Sequence, residues 1–274
     1  MNATTDPTPP DTQEPAPAAS ESSVFNLRIA ALNVSAPLAW LRAGWADFVR
    51  CPRIGLFYGA CFFLMGHALL WVFQQAPAYV LALSAGFLLM GPFLCLGLYD
   101  ASRALQRGER PSLRRSLRAW VPTKGTMAIF AGVLLILEML WGRASLVVFA
   151  VTFNTMPDAH NLLTQLLSGQ NIEFLITWTV VGAIFAGLIF VTSVVSIPMI
   201  LDRGTDAISA GLTSIRACLQ NPGVMLCWGA LIALTVALAM APWFLGLLVI
   251  GPVIGHATWH AYDATVNAPN RDGA

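Results

Sequence analysis

Long apolar runs recur along the chain, separated by shorter stretches in which charged and turn-forming residues collect. A helix crossing the hydrocarbon core of a bilayer needs about 20 mainly apolar residues. Six segments have that length, at 54–73, 79–99, 124–144, 175–197, 223–240 and 243–262. The first two are separated by Gln74-Gln75-Ala76-Pro77-Ala78 and the last two by Ala241-Pro242, connections short enough to force antiparallel hairpins. Between the third and fourth, the mixed stretch from Ser145 to Asn171 reads as an interfacial helix on the outer surface.

Before each odd-numbered span the period changes to that of an amphipathic helix. Leu38, Leu41, Trp45 and Phe48 recur at three- and four-residue spacing beside Arg42, Asp47 and Arg50. Leu113, Leu117 and Trp120 do so beside Arg114, Arg115 and Arg118, and Ile208, Leu212, Ile215 and Leu219 beside Arg216. Such helices can lie in the inner interface. Leu41-Arg42-Ala43, Leu117-Arg118-Ala119 and Ile215-Arg216-Ala217 are each followed by a proline, Pro52, Pro122 or Pro222, before the span begins. The even spans also correspond, GPFLCLGLYDA (Gly91 to Ala101) with GPVIGHATWHA (Gly251 to Ala261), and Pro198 and Asp202 close the fourth. The pattern predicts three copies of one unit: interfacial helix, outward span, tight turn, inward span.

Composition agrees with the pattern. Hydrophobic residues make up 57% of the 274 and charged residues 11%, against roughly 25% charged in soluble domains, so a water-facing surface could not be covered. The net charge of +1 gives no basic face for nucleic acid. Fourteen of the fifteen Lys and Arg fall on one side of the six-span scheme, in the connections between spans two and three and between four and five and in the two flanking regions; Arg143 is the exception. Lys and Arg near span ends are retained on the cytoplasmic side, so both termini are expected there. The nine tryptophans fall near span ends, where their rings favour the headgroup level.

The first residues, rich in Pro, Thr, Ala and Ser, lack the basic and apolar regions of a signal peptide, and residues 1–27 are expected to form a disordered cytoplasmic tail. Residues 28–264 then form the membrane domain and 265–274 a cytoplasmic C-terminal tail. Five cysteines, an odd number without zinc-ligand spacing, point to free thiols.

The run SIPMILDRGTDAISAGLTSIRACLQNPGVMLCWG (Ser196 to Gly229), then FLGLLVIGPVIGHATWHAY (Phe244 to Tyr262), resembles the DUF2189 family of predicted bacterial integral membrane proteins. GWADFVRCPRIGLFYG (Gly44 to Gly59) and GPFLCLGLYDASRALQRGERPSL (Gly91 to Leu113) extend the resemblance to about residues 28–264. Asp202-Arg203-Gly204 departs from it, because an acidic residue is expected after the arginine. A label carried by some members connects them to cytochrome c oxidase and implies a respiratory-membrane context. Four histidines are too few for the two haems and copper of an oxidase catalytic subunit.

Four polar residues stand out as functional candidates. His256 and His260 lie four apart and share a helical face, the spacing a haem or metal site could use. No carboxylate or cysteine obviously completes such a site, so interhelical hydrogen bonding is the favoured reading and no cofactor is expected. Asp202, with Asp100 and Asp263, closes an inward span, where a carboxylate at a helix C-terminus calls for an arginine partner. Glu138 lies well inside the third span, and Arg143, five residues on, points some 140° away around a regular helix. Phosphate loops, nucleophile elbows and HExxH are absent from the sequence, which weighs against an enzyme.

The sequence therefore predicts an all-α, six-span bundle of three helical-hairpin repeats in a bacterial inner membrane. Its leading function is a non-catalytic membrane component, accessory to a respiratory or other membrane complex and in contact with lipid and other inner-membrane proteins. A transporter or permeation pathway for a small solute or lipid is the alternative. A polar cavity at mid-membrane would favour the alternative, and a filled interior the accessory role.

Overall fold

The computed structural model describes residues 27–75, 80–152 and 172–268, with backbone alone for residues 73 and 80–89. Among them every regular element is helical. In chain order these are α1 (Ala36–Arg50), α2 (Pro52–Gln75), α3 (Val80–Gln106), α4 (Leu113–Ser116), a 3-10 turn (Val121–Thr123) and α5 (Lys124–Thr152). There follow α6 (Ile172–Ser193), α7 (Ser196–Arg203), α8 (Ala207–Gln220), α9 (Pro222–Met240), α10 (Leu247–Tyr262) and a π-helical turn, Asp263–Asn267.

Among the described residues four stretches are long and apolar enough to cross a membrane: Pro52–Val72, Leu113–Thr152, Ile172–Arg203 and Pro222–Met240. Their outward faces carry large apolar side chains such as Ile129, Ile136, Ile184, Leu226 and Leu234, all more than half exposed, which suits contact with hydrocarbon. The second and sixth of the six expected spans are not among these four. For the sixth, the reason is physical. The connection after α9 extends from Ala241 to Gly246, with Trp243 and Phe244 in the left-handed region at φ 53° and 62°. Helix α10 begins only at Leu247 and has 16 residues, about 24 Å at 1.5 Å per residue. It is also deeply enclosed, with an unbroken buried run from Pro252 to Trp259. Neighbours α1, α2 and α3 pack around it.

Close packing on α10 depends on small residues. A Cβ on Gly44 of α1 would lie 2.5 Å from the Val253 carbonyl oxygen and 2.7 Å from the Ala257 nitrogen, so the two backbones touch. Gly59 of α2 meets the backbone of Leu248 in the same way. Glycine at such positions lets helices approach without a side chain between them.

The amphipathic stripes face outward only in part. In α1, Leu38, Trp45 and Val49 are exposed, whereas Trp40, Gly44, Asp47 and Phe48 are buried. In α8, Ile208, Leu212 and Leu219 are exposed, whereas Ala210, Thr213, Ser214 and Ala217 are buried. Trp40 and Phe48 thus join small and hydrogen-bonding residues in the contact, while the other large apolar residues named here point away from the bundle. The second expected interfacial helix is reduced to the four residues of α4 and the 3-10 turn after it.

The first and third expected units share a junction. Helix α1 ends at Cys51 (φ −130°, ψ 57°) and α8 at Asn221 (φ −128°, ψ 53°); each N–H bonds the carbonyl four residues back, and proline opens the next helix. Asn221 also pins the N-terminal segment, accepting from Leu32 N at 2.8 Å and donating to the Ala30 carbonyl at 2.9 Å.

Pro198 cannot donate into the helix before it, and the helix breaks between α6 and α7. Ser214 of α8 satisfies the break, donating to the Val191 carbonyl (2.7 Å) and accepting from Val195 N (3.2 Å). Helix α5 runs on to Thr152, so the start of the expected outer interfacial helix continues the third span, and its remainder lies outside the described residues. So do most of the N-terminal tail, the turn at 76–79 and residues 269–274. Thr265 and Val266 are fully buried, so the packed body extends past residue 264.

Candidate functional site

A polar network joins α1, α3 and α10 where their ends meet. His256 is fully buried, and its Nδ1 lies 2.7 Å from the hydroxyl of Ser102, itself fully buried. His260 Nε2 lies 2.8 Å from Asp47 Oδ2. The Asp47 carboxylate also takes a bond from Ser102, so the two histidines meet at one acid. A carboxylate can only accept, and this fixes the direction: His256 Nδ1–H donates to Ser102, Ser102 O–H to Asp47, and His260 Nε2–H to Asp47. His260 Nδ1 then accepts from the Gln106 amide nitrogen at 3.4 Å, while Gln106 Oε1 accepts from the Trp259 indole at 2.9 Å. On the far side, the Cys51 thiol donates to the Asp47 carbonyl at 3.1 Å and lies 3.9 Å from His256 Nε2. The result is a continuous line from Cys51 inside the bundle to Gln106 at its surface.

The electrostatics follow from this enclosure. Burial alone would push the Asp47 carboxyl up, but the bonds from His260 and Ser102, with the nearby imidazoles, outweigh it and hold Asp47 below the ordinary carboxylate range. Burial, reinforced by the Asp47 charge, pushes the Cys51 thiol up to about 11, which makes it a poor nucleophile at neutral pH.

Asp202 lies in a second cluster. It accepts from Tyr262 Oη (3.1 Å) and Asn267 Nδ2 (2.9 Å), with Arg103 at 3.7 Å and Arg107 at 4.0 Å. Arg203 in turn donates to Asn267 Oδ1 at 2.6 Å. Asp100 pairs with Arg115 at 3.3 Å, and Asp263 accepts from Gln106 at 3.3 Å. Asp202 and Asp263 thus tie the ends of α3, α7 and α10 to one another, and Asp100 ties α3 to α4.

Glu138 stands apart from both clusters. It is 5% exposed on α5, with one carboxyl oxygen buried and without a hydrogen-bond partner among the described residues. It lines a cavity of about 340 Å³ between α5 and α6, with Pro92 of α3 at one side and Trp141, Phe185 and Phe190 among the walls. Arg143 is exposed, on another face of α5.

Sequence reasoning brought His256 and His260 to one face but missed their partners. Asp47, Ser102 and Cys51 come from helices 150 or more residues away along the chain, and spacing within a helix cannot reveal that. One signal was present: Asp47 is an acid in a helix whose other charges are basic. Among the described residues no group of three or more His, Cys, Asp or Glu is placed to hold a metal ion. His67, the remaining described histidine, bonds its own helix at Phe63 O (3.1 Å) and packs on Phe244.

Residues 79–202 match the model of the DUF2189 family, described as predicted integral membrane protein. The match covers less than half of the chain. It runs from α3 to the end of α7 and includes Ser102, Gln106, Glu138 and Asp202, whereas Asp47, His256 and His260 lie outside it. The match is narrower than the resemblance over 28–264 expected from the motifs. No curated protein and no solved structure matched the chain.

Proposed function

We propose that the chain is a non-catalytic component of the bacterial inner membrane, accessory to a respiratory or other membrane complex, with six spans and both termini cytoplasmic. The observation that carries this reading is the inner-end network. Asp47, Ser102 and His256 are buried and bonded to one another, and with His260 they clamp α1, α3 and α10 together. Groups committed to each other in this way hold a scaffold. The apolar lining of the mid-depth cavity supports the same reading, since a hydrated solute path needs polar walls.

The basic residues support the orientation. Arg103 of α3 and Arg203 of α7 meet in the Asp202 cluster with the turn after α10, so the ends of three helices expected to face inward lie together. The second reading, a transporter or permeation pathway, is favoured by one observation, the unpartnered carboxyl of Glu138 at mid-depth.

Reconstitution separates the two. Liposomes containing the full chain should hold proton and small-solute gradients as long as empty liposomes do. Dissipation by the wild type that is slowed by Glu138→Gln would move the assignment to a transporter.

A further inference from the structure

We propose that the cleft around Glu138 binds a lipophilic organic cation, a single positive charge carried on an apolar body. Three observations converge on this chemistry. The first is the carboxyl itself, 95% removed from solvent, with one oxygen bonded to nothing among the described residues. An ionised carboxylate in an apolar setting requires a counter-charge.

The second is that the neighbouring protein groups do not supply one. Among the described residues no Lys, Arg or His lines the cleft. Arg143 lies exposed on another face of α5. Ser193, the polar residue nearest the far end, commits its hydroxyl to the Ile189 carbonyl at 2.6 Å. Above the cleft, the Ser145 hydroxyl already accepts from the Trp178 indole at 2.6 Å. Pro92 contributes no N–H. Among the described residues, the counter-charge for an ionised Glu138 is left to a ligand.

The third is the space and its walls. About 340 Å³ lies within the range of small-molecule sites, and Trp141, Phe185 and Phe190 present aromatic surface around the carboxyl. Aromatic faces attract cations through their quadrupoles, and the attraction strengthens where water is excluded. Gly182 opposite Trp141 keeps the cleft from being filled by a side chain of α6, since a Cβ there would reach the indole nitrogen at 3.5 Å. A carboxylate ringed by aromatic groups selects for charge at one point and for apolar bulk around it.

The test uses tetraphenylphosphonium as probe and the full chain in nanodiscs. Equilibrium dialysis should give saturable binding near one cation per chain, weakened at least tenfold by Glu138→Gln. Triphenylphosphine oxide, a neutral analogue, should bind at least tenfold more weakly than the cation. Ala186→Phe, which fills the cleft while retaining the acid, should also abolish saturable binding, and it decides the matter should Glu138→Gln fail to accumulate. Non-saturable uptake by the wild type, equal binding by Glu138→Gln, or neutral and charged probes binding alike would each overturn the assignment; the last would identify the cleft as a site for neutral lipophiles. Binding is read here without flux or copurification, so its outcome is independent of the accessory role.

Discussion

The imidazole of His260 meets the carboxylate of Asp47 at 2.8 Å and so joins α10 to α1 across 213 positions of sequence. Both groups are largely withdrawn from solvent, and the same carboxylate receives Ser102 from α3. Removing one partner leaves a buried group unsatisfied, which costs about 1–3 kcal/mol. His260→Ala and Asp47→Asn should each lower the thermal unfolding midpoint of the detergent-solubilised chain. The double variant should lose less than the sum, with a coupling of about 0.5–3 kcal/mol. Strict additivity in that cycle would show that the bond does not clamp the helices.

The same acid sets a pH limit. Asp47 is held below the ordinary carboxylate value in the folded chain, so it stabilises the fold fully above about pH 4 and loses that contribution as pH falls through its depressed folded value. The difference in midpoint between wild type and Asp47→Asn should be constant from pH 7 to about 5 and shrink below pH 4. A difference that stays constant down to pH 3 would mean that Asp47 carries no linked proton.

Glycine 44 provides a steric test of the α1–α10 contact. Its added Cβ would strike backbone on both Val253 and Ala257, and backbone cannot rotate aside as a side chain can. Gly44→Ala should therefore destabilise by at least about 1–3 kcal/mol through overpacking. Gly132→Ala in α5 has nothing within 4 Å and should be neutral or slightly stabilising, because alanine is the better helix former. Equal melting of the two variants would contradict the contact.

Topology can be read by reporter fusions. Fusions at Gly108 and Thr205 should report the cytoplasm and those at Ala76 and Asn161 the outer compartment, as fourteen basic residues against one demand. An inverted result at any one position would remove that hairpin from the six-span scheme.

The helical class, the free thiols and the membrane setting were legible in the sequence because composition and run length report them directly. The carboxylates at the helix ends were legible as well, since a helix C-terminus rich in arginines dictates the pairs that Asp100 and Asp202 make. Burial direction in α1 and α8 was not. The interfacial reading places Leu38, Leu41, Trp45 and Phe48 on one lipid-facing stripe, but only Leu38 and Trp45 are exposed and Phe48 is buried in the bundle. Trp40, Trp228 and Trp259 mislead as well: near span ends by sequence, they are buried, Trp40 edge-on to Trp228 at 5.5 Å and Trp259 bonded to Gln106. The Asp47–His260 bond needed the fold, because nothing local couples residues so far apart.

The accessory role is tested most directly by extracting the tagged full chain from its own membrane in a mild detergent and identifying what travels with it. The proposal expects a particle larger than any homo-oligomer of the 29.4 kDa chain, with a second membrane protein in fixed ratio that persists through size exclusion. A homogeneous particle containing this chain alone, which on reconstitution drives solute flux, would contradict it.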